Sequence, residues 1–231
     1  HARDRGVQLL VDAEYTYLNP ALSWVTMALM MRFNQSEPAI WNTYQCYLKD
    51  ADTLLSSDIE WALSRGLCFG VKLVRGAYLE KERLLAKSLG YPDPIQPTWE
   101  DTNHSYQRLL DKMLRLVGET GQRLGLVIAT HNEESVRHAL HRMQEFGIRQ
   151  ENHFVCFAQL LGMCDHISLT LGSAGYSVYK SIPYGSVEEV MPYLVRRAQE
   201  NLSVLKGLRT ERDLLWRELR TRLTRKRRPA V

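Results

Sequence analysis

Two adjacent arginines near the end of the chain are well suited to bind a small anion. Arg196 and Arg197 lie in residues 193–201, a predicted helix, and Glu200 follows Arg197 at a spacing that lets it orient the guanidinium. A guanidinium fork matches a carboxylate or a phosphate with two parallel hydrogen bonds. Adjacent helical side chains point about 100° apart, so both arginines can serve one site only over a helix end or along one flank. A solvated basic helix face has the same pattern, and this stretch alone leaves both interpretations open.

The composition predicts one large globular domain with a basic end. Of the 231 residues, 45% are hydrophobic and 24% are charged. The formal net charge is +4, and five of the eight residues at 221–228 are Lys or Arg, so the remainder is close to neutral. A basic tail can contact anionic lipid or nucleic acid, or it can be a solvated terminus. Aromatic and basic residues do not alternate along the chain, so we predict no nucleic-acid partner.

The cysteines and the longest apolar runs predict a protein without disulfides, metal or a membrane span. Cys46, Cys68, Cys156 and Cys164 lack zinc-ligand spacing, and we expect reduced, mostly buried thiols in an intracellular compartment. No apolar run reaches about 18 residues. Because His1 stands only a few residues before a predicted buried strand, we expect a processed form or a fragment.

A short apolar strand, a loop that starts with polar residues and a helix follow one another repeatedly. Strands are predicted at 7–11, 40–47, 68–74, 124–129, 153–157 and 176–181. Helices are predicted at 20–33, 56–65, 104–119, 133–146, 186–203 and 211–223, with Asn19 as the cap of the first and Pro20 at its first position. Buried strands that alternate with helices indicate a parallel sheet, which binds ligands at the carboxyl ends of its strands.

The predicted fold class is α/β, and a TIM-type (βα)8 barrel is the favoured architecture. No Gly-x-Gly-x-x-Gly motif follows a predicted strand, and there is no Walker-type phosphate loop, which weakens the case for a dinucleotide-binding fold. Eight strands usually need about 250 residues, and only six are found here. Either two strands precede His1 or the sheet is not a closed barrel. We favour missing strands.

Six short motifs stand out, five at strand ends and one on the last helix. They are Val11-Asp12-Ala13-Glu14, Thr43-Tyr44-Gln45-Cys46-Tyr47, Lys72-Leu73-Val74-Arg75-Gly76-Ala77-Tyr78, Ala129-Thr130-His131-Asn132, Gln159-Leu160-Leu161-Gly162-Met163 and Tyr193-Leu194-Val195-Arg196-Arg197. In this order they resemble the proline dehydrogenase family over nearly the whole chain. The resemblance implies a distorted (βα)8 barrel with FAD at its carboxyl face. Residues 1–207 would be the C-terminal part of this flavin-binding domain, with a C-terminal helix over the barrel mouth. Residues 208–231 would form a terminal helix and a basic tail.

The resemblance also implies a reaction and a set of site residues. The family oxidises proline at the ring carbon next to nitrogen, passes a hydride to the flavin, forms pyrroline carboxylate and reduces membrane quinone. This implies a mitochondrial location with peripheral contact to the inner membrane. The implied residues are Lys72, Asp12 and Tyr78 for catalysis, Arg196, Arg197, Ser181, Leu160 and Tyr78 for substrate, and Gln45, Lys72, Arg75, Thr130, His131 and Glu200 for FAD. Many relatives have arginine where this chain has Lys72.

Ser181 departs from the family pattern and narrows the substrate. The usual proline dehydrogenases have a tyrosine at this position, twelve residues before Tyr193, which packs over the substrate ring near its C4. Serine removes the aromatic wall, adds a hydroxyl and leaves room for a 4-hydroxyl group. We therefore predict oxidation of trans-4-hydroxyproline, and more weakly of proline. If water simply fills the space, the chain is a proline dehydrogenase of the usual kind.

Several of these residues also have ordinary structural interpretations. Asp12 can cap a helix or orient an arginine, His131 can be a satisfied loop histidine, and Tyr78 and Leu160 can belong to the core. A six-stranded piece exposes sheet edges. The chain could therefore also be a non-catalytic barrel fragment that acts through partners.

Overall fold

A computed structural model describes residues 1–200 and 205–224, without the side chains at 3, 196, 198–200, 205–211 and 224. Strands and helices alternate along this part of the chain. The strands are β1 (Leu9–Val11), β2 (Ile40–Gln45), β3 (Phe69–Val74), β4 (Leu124–Ala129), β5 (Val155–Leu160) and β6 (Ser177–Ser181). The α-helices are α1 (Asn19–Phe33), α2 (Ala51–Leu63), α3 (Leu79–Leu89), α4 (Trp99–Thr120), α5 (Glu133–Glu145), α6 (Asp165–Ser173), α7 (Val187–Glu200) and α8 (Leu205–Thr224).

The six strands form one parallel sheet in chain order, from β1 to β6. This confirms the predicted α/β class and all six predicted strands. The sheet curls into a half-barrel, a partial TIM-like barrel. Because successive parallel strands end at the same edge, the residues after β1 to β6 are brought together along one rim.

The prediction that the first strand is buried was wrong. β1 is only three residues long, and the side chains of Leu9 and Leu10 are 47% and 42% exposed. Among the described residues β1 pairs only with β2, so one of its edges has no neighbouring strand to cover it.

One face of the sheet packs against helices. Val71 and Leu73 of β3 and Leu126 and Ile128 of β4 are fully buried and belong to the main core. Their alternation along the strands explains why they share this face. None of the helices in the described ranges is both long and apolar enough to cross a bilayer.

On the other face, Trp41 fills the space between β2, β3 and β4. It is 1% exposed and packs against Val127. Gly70 on β3 and Gly125 on β4 lie under its indole ring, and a Cβ at either position would overlap ring atoms. These two glycines are therefore required by the close approach of the tryptophan.

Several helices differ from the prediction. α2 begins at Ala51 rather than Ser56, α8 begins at Leu205 rather than Glu211, and no helix was predicted at α3 or α6. α4 begins at Trp99 rather than His104, because Thr98 and Asp101 form a capping box in which Thr98 Oγ1 accepts from the Asp101 N–H at 3.0 Å. The prediction that Asn19 caps α1 was wrong: Asn19 is already helical, and its side chain makes no cap hydrogen bond. It binds the preceding loop and β2 instead.

The four cysteines are in no disulfide and all are buried, which confirms the prediction of reduced, mostly buried thiols. Burial raises the pKa of the Cys46 and Cys156 thiols to about 12. Both are therefore neutral near pH 7.

Candidate active site

A salt bridge joins the residue after β1 to the middle of β3. Lys72 Nζ lies 2.7 Å from Asp12 Oδ1, and the two side chains are 21% and 68% exposed. Lys72 shares a sheet face with Trp41, because Thr43 pairs with Lys72 in the β2–β3 register and lies two residues after Trp41. Asp12 therefore orients a lysine on the inner face of the sheet, and it caps no helix.

The loop after β1 is bound to the loop after β3 through Tyr78. The Tyr78 hydroxyl donates to Glu14 Oε2 at 2.6 Å, and its ring packs on Tyr15 with a centroid separation of 4.3 Å. Thr16 donates twice, through its N–H and its hydroxyl, to the fully buried carboxylate of Glu82 at 2.7 Å each. Tyr78 is thus a rim residue held by two neighbouring loops.

Gln45 lies at the carboxyl end of β2 and is 3% exposed. Its Oε1 accepts from Asn19 Nδ2 at 3.3 Å, while Asn19 Oδ1 accepts from the Glu14 N–H at 2.7 Å. The Nε2 of Gln45 has no hydrogen-bond partner among the described residues. The amide therefore has donors available for a ligand at the rim.

Arg75 places a positive charge at the rim without a carboxylate to balance it. Its nitrogens donate to Asn103 Oδ1 at 2.9 Å, Thr130 Oγ1 at 2.6 Å and Ser135 Oγ at 2.8 Å. Its guanidinium also lies 4.4 Å from the ring centroid of Tyr106. Burial lowers the pKa of Arg75 below its ordinary value. No ion pair to Arg75 occurs within residues 1–200 and 205–224, so an anionic ligand would stabilise this charge.

His131, after β4, is a neutral imidazole of defined tautomer. Its Nε2 accepts from the Leu160 N–H at 3.0 Å, so the ring proton is on Nδ1. Burial, with smaller contributions from Lys180 and Arg75, lowers the pKa of His131 to about 4. The Leu160 N–H thus holds His131 on one side only, and its Nδ1–H has no partner among the described residues.

A cavity of about 190 Å³ lies between the ends of β5 and β6 and helix α7. Leu160, Ser181, Tyr193 and Arg197 all line it. Leu160 pairs with Ser181 in the β5–β6 register, and the Arg197 guanidinium lies 5.2 Å from the Tyr193 ring centroid. A cation, a hydroxyl and apolar walls thus surround a space suited to a small carboxylate with an apolar ring.

Most of the predicted site residues lie along the rim and are linked in small groups. The links are Asp12 with Lys72, Arg75 with Thr130, His131 with Leu160, and Leu160 with Ser181 and Arg197. Tyr78 and Gln45 are held beside the first link through the loop after β1. The side chains of Arg196 and Glu200 lie outside the described residues.

Sequence reasoning assigned no role to three residues that support this rim. Glu14 binds Tyr78, and Tyr193 packs on Arg197. Lys180 closes the loop after β5, donating to the Met163 carbonyl at 2.7 Å and pairing with Asp165 at 2.7 Å. For Glu14 the available signal was its position two residues after Asp12, and for Tyr193 it was the i,i+4 spacing to Arg197.

A larger open depression of about 700 Å³ lies elsewhere, between α5 and the loop before β5. Arg137 and Arg149 line it, and it contains none of the predicted site residues. We place the candidate site at the rim because the polar contacts converge there. No cluster of three or more potential metal ligands occurs within residues 1–200 and 205–224.

The residues present at the rim fit a flavin. Beside the cluster of Trp41, Val127 and Cys156, the inner face of β4 and β5 carries the small side chains of Ala129 and Ala158, which leave room for a planar ring. Lys72 and Arg75 supply positive charge, while Gln45 and His131 have unused N–H donors. Cations and donors of this kind suit the phosphates and the ring carbonyls of FAD.

The family model for proline dehydrogenase matches residues 1–210. Hydroxyproline dehydrogenase of Xenopus laevis is 68% identical over 223 residues, which are 96% of this chain and 48% of that protein. The human hydroxyproline dehydrogenase is 58% identical over 226 residues, 96% of this chain and 49% of that protein. Human "proline dehydrogenase 1, mitochondrial" is 54% identical over 96% of this chain and 37% of that protein. The chain spans about half the length of the hydroxyproline dehydrogenases that it matches.

Among solved structures, proline utilization A (PutA) from Bdellovibrio bacteriovorus, inactivated by N-propargylglycine, is similar with a TM-score of 0.78. The two are 26% identical, and the match covers 87% of this chain and 20% of that chain. The half-barrel described above is therefore the architecture found in part of that protein.

Proposed function

Because this chain belongs to the proline dehydrogenase family, we propose that it forms the carboxyl half of an FAD-dependent enzyme that oxidises trans-4-hydroxyproline, and more weakly proline, to the pyrroline carboxylate. Bound FAD would accept the hydride from the ring carbon next to nitrogen. The observation that carries the proposal is the cavity in which Ser181 and Arg197 face one space. It lies on the same rim as Lys72, which Asp12 orients, and as Arg75, whose charge has no carboxylate partner among the described residues. In the complete enzyme, a closed barrel would place α7 over its mouth.

The arginines of α7 would bind and orient the substrate. Arg197, with Arg196, would hold the carboxylate through charge-assisted hydrogen bonds, and the Tyr193 ring supports the Arg197 guanidinium from one side. Leu160 and Tyr78 would form apolar walls that exclude water from the reacting carbon. Fixing the carboxylate at one end leaves the ring only a small choice of orientations.

The residues of the inner face would stabilise charge around FAD. Lys72, held by Asp12 at 2.7 Å, would neutralise negative charge on the reduced ring. Gln45 and His131 would donate hydrogen bonds to the cofactor, and Arg75 and Thr130 would contact it or support residues that do. Glu200 would orient the arginines from the next turn of α7.

Ser181 favours the hydroxylated substrate. Its hydroxyl lies in the same cavity as Arg197, so it can bond to a 4-hydroxyl at the end of the ring away from the carboxylate. A usual proline dehydrogenase is the second candidate function, favoured by the 54% identity to the human mitochondrial protein. The relative kcat/KM for the two imino acids distinguishes them.

Quinone would take the electrons, and the protein would act in mitochondria in peripheral contact with the inner membrane. The support is family membership, together with relatives whose names include the word mitochondrial. Quinone is lipid-soluble, so such contact would bring the enzyme close to its acceptor.

The proposed function is tested by the visible absorption spectrum of the purified protein under anaerobic conditions. Flavin bands that bleach faster with trans-4-hydroxyproline than with proline support both the reaction and the substrate. Bleaching by proline alone would support the flavin-dependent oxidation but would exclude trans-4-hydroxyproline as the preferred substrate. If the protein binds no flavin even when FAD is added, this chain does not catalyse the oxidation, and the non-catalytic fragment becomes the favoured interpretation.

A further inference from the structure

Helix α8 carries an apolar stripe that the described part of the chain does not bury. Leu215, Trp216, Leu219 and Leu223 recur at spacings of one, three and four residues and so share one side of the helix. Their side chains are 66%, 56%, 45% and 77% exposed. All the described side chains of α8, residues 212–223, are exposed.

The other long helix of the protein, α4, differs in this respect. Its apolar residues Leu109, Leu110 and Met113 are fully buried against the sheet. Both helices have one apolar side and one polar side, but only α4 has that side covered. An apolar stripe of this kind indicates a surface that another apolar phase covers.

Arginines flank the stripe on α8. With about 100° of rotation per residue, Arg220 and Arg222 lie about 80° to either side of the middle of the stripe. Residues 205–228 contain ten Lys or Arg and only three Asp or Glu, more positive charge than the +4 of the whole chain. Leucine and tryptophan on one side, with arginines at the edges, are typical of helices that lie in the interface of an anionic membrane.

Arg212 distinguishes a lipid surface from a second copy of the helix. It precedes Leu219 by seven residues and therefore lies on the apolar side. In a dry seam between two helices its charge would be buried, and two basic helices would repel each other. At a bilayer, the long arginine stem can lie along the acyl chains while the guanidinium reaches a phosphate.

We propose that α8 binds the surface of an anionic lipid bilayer, with Leu215, Trp216, Leu219 and Leu223 inserted and the flanking arginines at the headgroup phosphates. The family model ends at residue 210, so most of α8 lies beyond the matched part. The inference deepens the membrane contact proposed above and rests on it for the identity of the membrane. Lipid binding itself does not require the oxidation.

Co-sedimentation of the purified protein with vesicles tests this proposal. We expect binding to vesicles that contain phosphatidylglycerol, little binding to phosphatidylcholine alone, and weaker binding as salt is raised. Leu219→Glu places a carboxylate in the stripe. Leu214→Glu is the matched control, because it makes the same charge change on the opposite side at a residue that is 40% exposed, against 45% for Leu219.

We expect Leu219→Glu to bind at least about tenfold more weakly than Leu214→Glu, because only the former takes a charge into the apolar layer. Equal loss in the two variants, or no binding of the unaltered protein to anionic vesicles, overturns the proposal. A dimer in solution that Leu219→Glu dissociates, without vesicle binding, assigns the stripe to a second copy instead. Flavin reduction, measured on the same samples, reports separately on the proposed oxidation.

Discussion

Lys72 and Asp12 form an ion pair in which the lysine is mostly covered and the aspartate is mostly open, at 21% and 68% exposed. The aspartate therefore loses little hydration by pairing, while the lysine is held in one orientation on the inner face of the sheet. A pair so exposed on one side contributes little to stability. The main effect of the pair is to fix the orientation of the Lys72 side chain.

Asp12→Asn should accordingly affect activity far more than stability. We expect flavin reduction to slow by on the order of tenfold or more, because Lys72 loses its orienting charge. The free energy of unfolding should change by no more than about 1 kcal/mol. Stopped-flow reduction and urea unfolding measure the two effects.

Glu133→Gln is the matched control for Asp12→Asn. It removes a carboxylate from another exposed ion pair, with Arg137 on α5 at 2.6 Å, that contacts none of the predicted site residues. We expect neither rate nor stability to change appreciably. If the two variants behave alike, Asp12 does not act through Lys72.

Ser181→Tyr should move the preference toward proline. The tyrosine would occupy the end of the cavity that Ser181 lines with Leu160 and Arg197, and it would oppose a 4-hydroxyl group while packing on an unsubstituted ring. We expect the ratio of kcat/KM for trans-4-hydroxyproline over proline to fall by on the order of tenfold or more. Ser88→Tyr, at an exposed position on α3, adds the same phenol without this effect. An unchanged ratio for Ser181→Tyr would remove Ser181 from the specificity argument.

The positions of the site residues along the rim could be predicted, because apolar runs mark the strands and parallel strands end at one edge. Asp12, Gln45, Thr130 and Leu160 were located in this way. The partners of Arg75 could not be predicted. Its contacts come from α4, the loop after β4 and α5, and their convergence depends on helix packing that no local pattern encodes.

The exposure of β1 was missed for a related reason. An apolar run such as Leu9-Leu10 predicts burial when the strand has a neighbour on each side. Here β1 is the edge strand of the described sheet, so its side chains stay exposed. Asn19 was mistaken for a cap because an asparagine before a proline is typical of a helix start. In the structure Asn19 Oδ1 instead accepts from the N–H of Glu14.

Gly125→Ala should destabilise the protein, although alanine is ordinarily the safer residue in regular structure. The new methyl group would overlap the ring of Trp41, which is buried and cannot move without disturbing β2 and β3. Overpacking of this kind costs about 1 to 3 kcal/mol. Gly172→Ala is the comparison, since a Cβ there meets nothing within 4 Å and lies in helix α6. It should be neutral or stabilising by up to about 1 kcal/mol, and equal destabilisation of both variants in urea would contradict the role of Trp41.

His131 should make the stability of the protein fall as the solution is acidified. Its pKa is about 4 in the folded protein against an ordinary value of 6.5, so the folded state favours the neutral ring. The stabilisation is fully present above pH 6.5 and is lost as pH falls from there toward 4. The loss amounts to at most about 3 kcal/mol.

Replacing the histidine isolates this contribution from the carboxylates that titrate in the same range. In His131→Gln, the amide oxygen can still accept from the Leu160 N–H but does not take up a proton, so the urea midpoint should depend less on pH between 4 and 6.5 than in the unaltered protein. The difference between the two profiles gives the histidine contribution directly. Parallel profiles over this range would show that the protonated ring is accommodated in the fold. In that case burial of the ring could not be what keeps His131 neutral and its Nδ1 proton available to a ligand.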